Sequence, residues 1–183
     1  LVAGTDPITE RVMASAPNLN LIARVGIGLD SVDLKAARSR RIAVTYSPDG
    51  PTPAVAELTI GLMIDILRGV SEVDRGMRLP EWNRAMGRRL ELQTVGVIGV
   101  GRIGKRVIRI LRGGFPGVRI LANDLAPDHE FGDENGVKWL EKARIFREAD
   151  IVTLHVPLTP QTRGLVAGDQ LNAMKPTSLL INT

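Results

Sequence analysis

Cysteine is absent from the 183 residues, and histidine occurs only at His129 and His155. The first absence excludes disulfide scaffolds, thiolate metal sites and thiol nucleophiles, and it agrees with a reducing cytoplasm. Aromatic residues make up only 3% of the chain. That scarcity bears on charge, because residues 61–112 carry 11 basic and 5 acidic side chains. Only Phe115 and Trp82 fall near the basic residues, so a base-stacking platform is hard to build. The stretch reads as a solvated helix face and not as a nucleic-acid surface. No run approaches the roughly 18 apolar residues of a membrane span. The opening LVAGTDPITERV has neither the basic region nor the apolar stretch of a signal peptide.

What is present alternates between apolar strands and amphipathic helices. TDPITERVMASAP (5–17) predicts a short helix capped by Thr5 or Asp6 with Pro7 in its first turn. NLIARV (20–25) and RIAVTY (41–46) read as strands with DLKAARSRR as the helix between them, which implies a parallel sheet. SPDGPTP (47–53) is the expected boundary. A long helix follows, capped by Thr52, with Val55, Leu58, Leu62, Met63, Ile66, Leu67 and Val70 as its apolar face. After a looser stretch over 76–92 a second alternation begins. It runs TVGVIG, helix 102–112, VRILAND, helix near 138–148, IVTLHV, helix near 167–174, and SLLIN.

The stretch TVGVIGVGRIGKRVIRILRGG places Gly99, Gly101 and Gly104 in the spacing GxGxxG, behind an apolar strand and in front of a helix. The first glycine permits a tight turn, the second lets a pyrophosphate approach the backbone, and the third lets helix and strand pack closely. An anion then sits on the helix N-terminus, where free N–H groups and the dipole favour it. In that helix Ile103, Val107, Ile110 and Leu111 are expected to face inward, and Arg102, Lys105, Arg106, Arg109 and Arg112 outward. Asp124, at the end of the next strand, suits a ribose hydroxyl; the alternative is an Asp that merely ends a strand and caps a turn. Its charge repels a 2′-phosphate, and Leu125, Ala126 and Pro127 supply no Arg to bind one, so NAD is favoured over NADP.

Three stretches together resemble the D-isomer-specific 2-hydroxyacid dehydrogenases, a family that includes phosphoglycerate dehydrogenase-like enzymes. They are RVGIGLDSVDLKAA (24–37), PAVAELTIGLM (53–63) with the glycine loop, and ADIVTLHVPLTPQTRGLV (149–166) running into MKPTSLLINT (174–183). The resemblance implies an α/β architecture: a Rossmann-type nucleotide domain over 51–183 and, over 1–50, part of a smaller flavodoxin-like substrate domain. It implies NAD as cofactor, a small 2-hydroxy or 2-oxo acid as substrate, a homodimer through the long helix region, and a cytoplasmic enzyme. The N–H groups of Ile27 and Gly28 would hold the substrate carboxylate. Arg102 and Ile103 would touch the pyrophosphate, Val156 and Pro157 would line the adenosine side with Thr162 close by, and Thr183 would lead to the nicotinamide. A dehydrogenase-like corepressor that binds NAD without turnover is the alternative.

The resemblance also sets expectations about what is not in these residues. The family's catalytic Arg is expected just after INT, and its Glu and His further on, so the 183 residues are expected to be an internal piece. No catalytic residue is assigned within them. His155 is then a strand-end residue of the cofactor pocket, and His129, in PDHEFGDENG, a solvated one with no metal site. Trp82 is expected where two domains meet, and Glu57 complements the start of the long helix. Where phosphoglycerate dehydrogenases commonly carry Arg-Ser, this chain has Ala3 and Gly4, which removes one partner for a substrate phosphate.

Overall fold

The computed structural model describes residues 1–79 and 86–183, so the expectation for Trp82 lies outside the described residues. The chain forms two compact units, Leu1–Pro53 with Pro157–Arg163, and Ala54–Val156 with Gly164–Thr183.

The first unit contains β1 (Val2–Ala3), α1 (Glu10–Ala14), β2 (Leu21–Arg24), α2 (Leu34–Ser39) and β3 (Ala43–Tyr46). Its strands are parallel in the order β1-β2-β3. Met13, Ile22, Ala36 and Ala37 form the buried centre, with Ile8, Val32 and Ile42 around it. The first helix starts later than the sequence suggests: α1 begins at Glu10 with Thr9 as its cap. Ile8 is the reason. Its N–H donates to the Ser31 carbonyl at 2.7 Å and its carbonyl accepts from the Asp33 N–H at 3.0 Å, a parallel bridge to Val32 that holds this backbone extended. Asp33 then caps α2 by accepting from the Ala36 N–H at 3.0 Å.

The second unit opens with α3 (Thr52–Arg68), which crosses the boundary, then α4 (Val70–Met77) and a 3₁₀ turn (Leu90–Leu92). There follow β4 (Thr94–Ile98), α5 (Arg102–Gly114), β5 (Arg119–Asn123), α6 (His129–Glu134) and β6 (Val137–Trp139). The last elements are α7 (Lys142–Glu148), β7 (Ile151–Leu154), α8 (Gly168–Ala173) and β8 (Leu179–Asn182). All five strands are parallel in the order β6-β5-β4-β7-β8. The chain winds outward from β4 to β6 and then returns to β4's other side, which makes a topological switch point between β4 and β7.

Alternation along the strands builds two cores. Val95, Val97, Ile120 and Ala122 pack under α3 and α5, while Ile98, Leu121 and Val152 pack under α7 through Ile145 and Phe146. Gly96 faces α7 so closely that an added Cβ would meet Ile145 Cγ2 at 2.3 Å.

Several expectations need correction. In α3 the buried side chains are Ala56, Thr59, Ile60, Met63 and Leu67, whereas Leu58, Ile66 and Val70 are exposed. Thr52 is the first helical residue and not a flanking cap, since its hydroxyl donates to the Pro48 carbonyl at 3.4 Å. The end of α4 and the 3₁₀ turn fall within the looser stretch, and the acidic loop around His129 contains α6, whose Phe131 is buried. In α5, Ile108 is fully buried while Ile103 and Ile110 are only partly so. Arg112 does not simply face out: it donates to the carbonyls of Val118 at 2.8 Å and Gly136 at 2.7 Å, and to that of Asn135, fastening α5 to the α6–β6 turn.

Asp150 fastens the opposite edge of the sheet. Its carboxylate accepts from the Thr94 N–H at 2.8 Å and from Lys175 Nζ at 2.7 Å, joining the starts of β4 and β8. Burial pushes its pKa up, but the Lys175 and Thr94 hydrogen bonds outweigh this and hold it below the ordinary carboxylate value. A depressed folded pKa means the contribution is present above the unfolded pKa and lost as pH falls through the folded one. Asp150→Ala is expected to lower stability by about 2 kcal/mol at neutral pH, the scale of charge-assisted hydrogen bonds. In urea melts the deficit should begin to shrink as pH falls below about 4, where the unfolded chain takes up the proton first, and vanish only below the depressed folded pKa.

Candidate functional site

The carboxyl ends of β4, β5 and β7 form one edge, and the glycine loop occupies its centre. Gly99 ends β4 at φ +90°, a conformation that L side chains rarely adopt, and a Cβ there would meet the His155 carbonyl oxygen at 2.5 Å. Its N–H donates to the Asn123 carbonyl at 2.9 Å, tying the loop to β5. Gly101 is the N-cap of α5, with no side-chain cap, and a Cβ built on it meets nothing within 4 Å. Gly104, one turn in, would bring a Cβ within 2.1 Å of the Gly99 carbonyl oxygen. The three glycines therefore divide as a turn, an open approach and a close packing point. Behind the open position stands the uncapped N-terminus of a thirteen-residue helix. Arg102 is exposed at its first position and Ile103 is half-buried beside it.

Asp124 follows β5 and reaches back to this loop. Its Oδ2 accepts from the Val100 N–H at 2.7 Å and its Oδ1 from the Ala126 N–H at 3.0 Å. The turn-capping alternative is thus realised through Ala126. It does not exhaust the group, because an ionised carboxylate has about four acceptor positions. The residual capacity of a half-buried carboxylate at the loop suits a ribose diol, and the open space at Gly101 suits a pyrophosphate. The residues present fit a dinucleotide.

β7 closes the site on its other side. The His155 N–H donates to the Ile98 carbonyl at 2.8 Å, and Val156 packs toward the α7 core with one methyl beside Gly99. The His155 ring contacts the Thr153 hydroxyl through Nε2 at 3.0 Å, while Nδ1 is buried without a partner. Among the described residues no carboxylate orients this ring, which fits a strand-end residue better than a general base. Burial pushes its pKa down from 6.5 to about 4. The unfolded chain takes up this proton first as pH falls, so stability present above pH 6.5 is lost between there and pH 4. The full loss corresponds to about 3 kcal/mol. His155→Asn is expected to flatten that part of the pH–stability curve, read from chemical denaturation at pH steps.

The remaining residues divide between the units. Thr183 follows β8 in the second unit, its hydroxyl 3.3 Å from that of Thr59. Thr59 is fully buried in α3 and already donates to the Val55 carbonyl at 2.8 Å, so it accepts from Thr183. Pro157 and Thr162 pack with the first unit. There the Thr162 hydroxyl donates to the Pro157 carbonyl at 2.5 Å and accepts from the Thr159 N–H at 2.8 Å, which staples LTPQT into a fixed turn. Ile27 and Gly28 lie in the loop after β2, opened by Gly26 at φ +139°. Among the described residues neither N–H donates to another protein group. Gly96 and Thr59, which position the edge from beneath, carried no sequence signal, since their partners Ile145 and Thr183 are distant in the chain.

The His129 ring stands edge-on to Trp139 with centroids 6.2 Å apart. Among the described residues no cluster of His, Asp and Glu could hold a metal ion, and no helix is long and apolar enough to cross a membrane.

Comparison with known proteins places this arrangement. Residues 60–183 match the model of the D-isomer specific 2-hydroxyacid dehydrogenase NAD binding domain. The glyoxylate reductase of Korarchaeum cryptofilum is 37% identical across 98% of this chain and 55% of its own length. The D-3-phosphoglycerate dehydrogenase of Methanocaldococcus jannaschii is 35% identical across 96% of this chain and 34% of its own. Among solved structures, D-lactate dehydrogenase from Aquifex aeolicus, complexed with NAD and lactic acid, superposes with a TM-score of 0.85 at 28% identity. That match covers 99% of this chain and 55% of the other. The chain thus spans about half the length of such relatives, or less. With its sheet order, glycine loop and matching residues 60–183, the chain belongs to the D-isomer-specific 2-hydroxyacid dehydrogenase family.

Proposed function

We propose that this chain is the cofactor-binding part of an oxidoreductase that reduces a small 2-oxo acid to the D-2-hydroxy acid with NADH, and runs the reverse. The observation that carries the reading is the open backbone at Gly101, over an uncapped helix N-terminus, with the Asp124 carboxylate bonded to the adjoining Val100 N–H. The nicotinamide supplies hydride exchange with C2 of the substrate. The protein supplies position and charge. The N–H groups of Arg102 and Ile103 bind pyrophosphate, Asp124 accepts from a ribose hydroxyl, and Val156, Pro157 and Thr162 shape the adenosine side. Thr183 leads toward the nicotinamide, and Ile27 and Gly28 hold the substrate carboxylate through backbone N–H groups. On this reading the Arg that binds the carbonyl, and the Glu-oriented His that moves the proton, belong to chain outside the 183 residues.

The test is oxidation of NADH by the full protein in the presence of glyoxylate, hydroxypyruvate, pyruvate or 3-phosphohydroxypyruvate in turn. Turnover of one or more supports the reading. NADH binding without turnover of any 2-oxo acid favours a sensing or corepressor role. Ala3 and Gly4, where an Arg would serve a substrate phosphate, favour the unphosphorylated acids.

Asp124→Asn separates charge from geometry, because the amide oxygen can still accept from the Val100 N–H. The expected result is NAD affinity about tenfold weaker and NADP affinity unchanged or stronger, the scale of one charge-assisted hydrogen bond. Paired titrations with both dinucleotides read it. The reading also takes the protein as a cytoplasmic homodimer, with Leu58, Ile66 and Val70 on the exposed flank of α3 and the start of α4 as a contact. Light scattering of the wild type and of Ile66→Glu tests that contact.

A further inference from the structure

We propose that the second unit carries a separate site for a small amphiphilic carboxylate, at the edge of the sheet opposite the glycine loop. A cavity of about 340 Å³ opens there, between the last turns of α3, the 3₁₀ turn before β4 and the end of α5. Leu67 and Leu90, both buried, and Phe115 make its apolar surface, while Arg68, Arg88 and the Arg89–Glu91 ion pair line the rest. A concave site of this size in which apolar and charged side chains meet suits a small molecule that carries both characters.

The charges do not cancel. Arg89 is neutralised by Glu91, and Arg88 donates one Nη2 bond to the Thr177 carbonyl at 2.8 Å, a neutral partner. The Arg88 charge also acts on Asp150, whose pKa it helps to lower. Among the described residues Arg68 makes no ion pair, so among them its charge stands unpaired at the cavity. A basic residue in the last turn of a helix is often there for the dipole, but the end of α3 is already served. The Arg88 N–H donates to the Leu67 carbonyl at 2.8 Å, and Gly87 packs so tightly on Leu67 and Arg68 that a Cβ would meet that carbonyl at 2.7 Å. The Arg68 guanidinium remains available, and its planar fork matches a carboxylate bidentately. The apolar surface requires that the carboxylate carry a hydrocarbon or aryl body.

The site is distinct from the proposed dinucleotide edge. Phe115 and Gly114 end α5 at the cavity, whereas Gly101 begins it thirteen residues earlier at the glycine loop. At 100° per residue Ile64 and Arg68 each lie about 160° around α3 from Ile66, so a dimer contact centred on Ile66 leaves the cavity open.

The experiment uses the full protein saturated with NAD and two probes of one shape, 3-phenylpropionate and the neutral 3-phenylpropanol, titrated by calorimetry. Neither is a 2-oxo or 2-hydroxy acid. The expected result is saturable binding of the carboxylate, at least tenfold weaker binding of the alcohol, and a similar loss in Arg68→Met. NAD affinity and the melting temperature should stay at their wild-type values in that variant, whose side chain is exposed. No saturable binding of 3-phenylpropionate by the wild type, equal binding of the alcohol, or undiminished binding by Arg68→Met would each overturn the proposal. A failure of the dinucleotide reading would instead show as a missing NAD isotherm.

Discussion

Replacing Gly104 by Ala is expected to lower the stability of the nucleotide-binding unit by about 3 kcal/mol, at the upper end of overpacking effects. The added methyl would stand 2.1 Å from the Gly99 carbonyl oxygen, 3.1 Å from its carbonyl carbon and 3.4 Å from Val97 Cγ1. Two of those atoms are backbone of the turn that ends β4, so no side-chain rotation relieves the clash. The turn cannot shift freely either, because Gly99 is bonded to Asn123 and lies against the His155 carbonyl. Relief must come from α5 moving outward, which opens the core at Val107, Ile108 and Leu111, all fully buried. Urea unfolding followed by circular dichroism reads this loss. Dinucleotide affinity should fall with it, since the N–H groups at the start of α5 move away from the phosphates.

Gly101→Val is expected to do the opposite: to leave stability within about 0.5 kcal/mol of the wild type, as for an unburdened surface change, while abolishing dinucleotide binding. Gly101 has φ −75° and ψ −152°, an extended conformation open to any residue, and its added Cβ touches nothing. What the isopropyl group would occupy is the approach to the α5 N-terminus. Losing two charge-assisted hydrogen bonds from pyrophosphate to backbone costs about 3 kcal/mol or more, a weakening of at least a hundredfold. On the proposed reading the motif contains one glycine kept for the fold and one kept for the ligand, and the pair of substitutions tests that division.

How far such roles can be read in sequence depends on whether the partner is local. The glycine spacing and the continuous apolar strands TVGVI and IVTL are local signals, and β4 and β7 are buried on both faces as such runs suggest. The division of labour between Gly101 and Gly104 was legible for the same reason, since the turn, the cap and the packing point fall within six residues. The place of Asp124 just after the second strand was legible, although its bond to Val100 was not. The misreadings have long-range causes. Ile8 is drawn out of a helical start by Val32, and α6 forms in an acidic stretch because Asp128 caps it and Phe131 is buried under Lys105 and Arg109. In α3 periodicity fails because apolar residues surround the helix, so Leu58 and Ile66 look no different from Met63 and Leu67. The pairing of Thr59 with Thr183 joins residues 124 positions apart, and no window along the chain contains both.

The claim at the centre of this account is that the β4–β5–β7 edge holds a dinucleotide on the Gly101 backbone. One calorimetric comparison tests it most directly: NAD titrated into the full protein and into Gly101→Val, at matched and verified foldedness. The account predicts a saturable isotherm for the wild type and at least a hundredfold weaker binding, or none, for the variant. Equal isotherms for the two proteins, or no binding by the folded wild type, would contradict it.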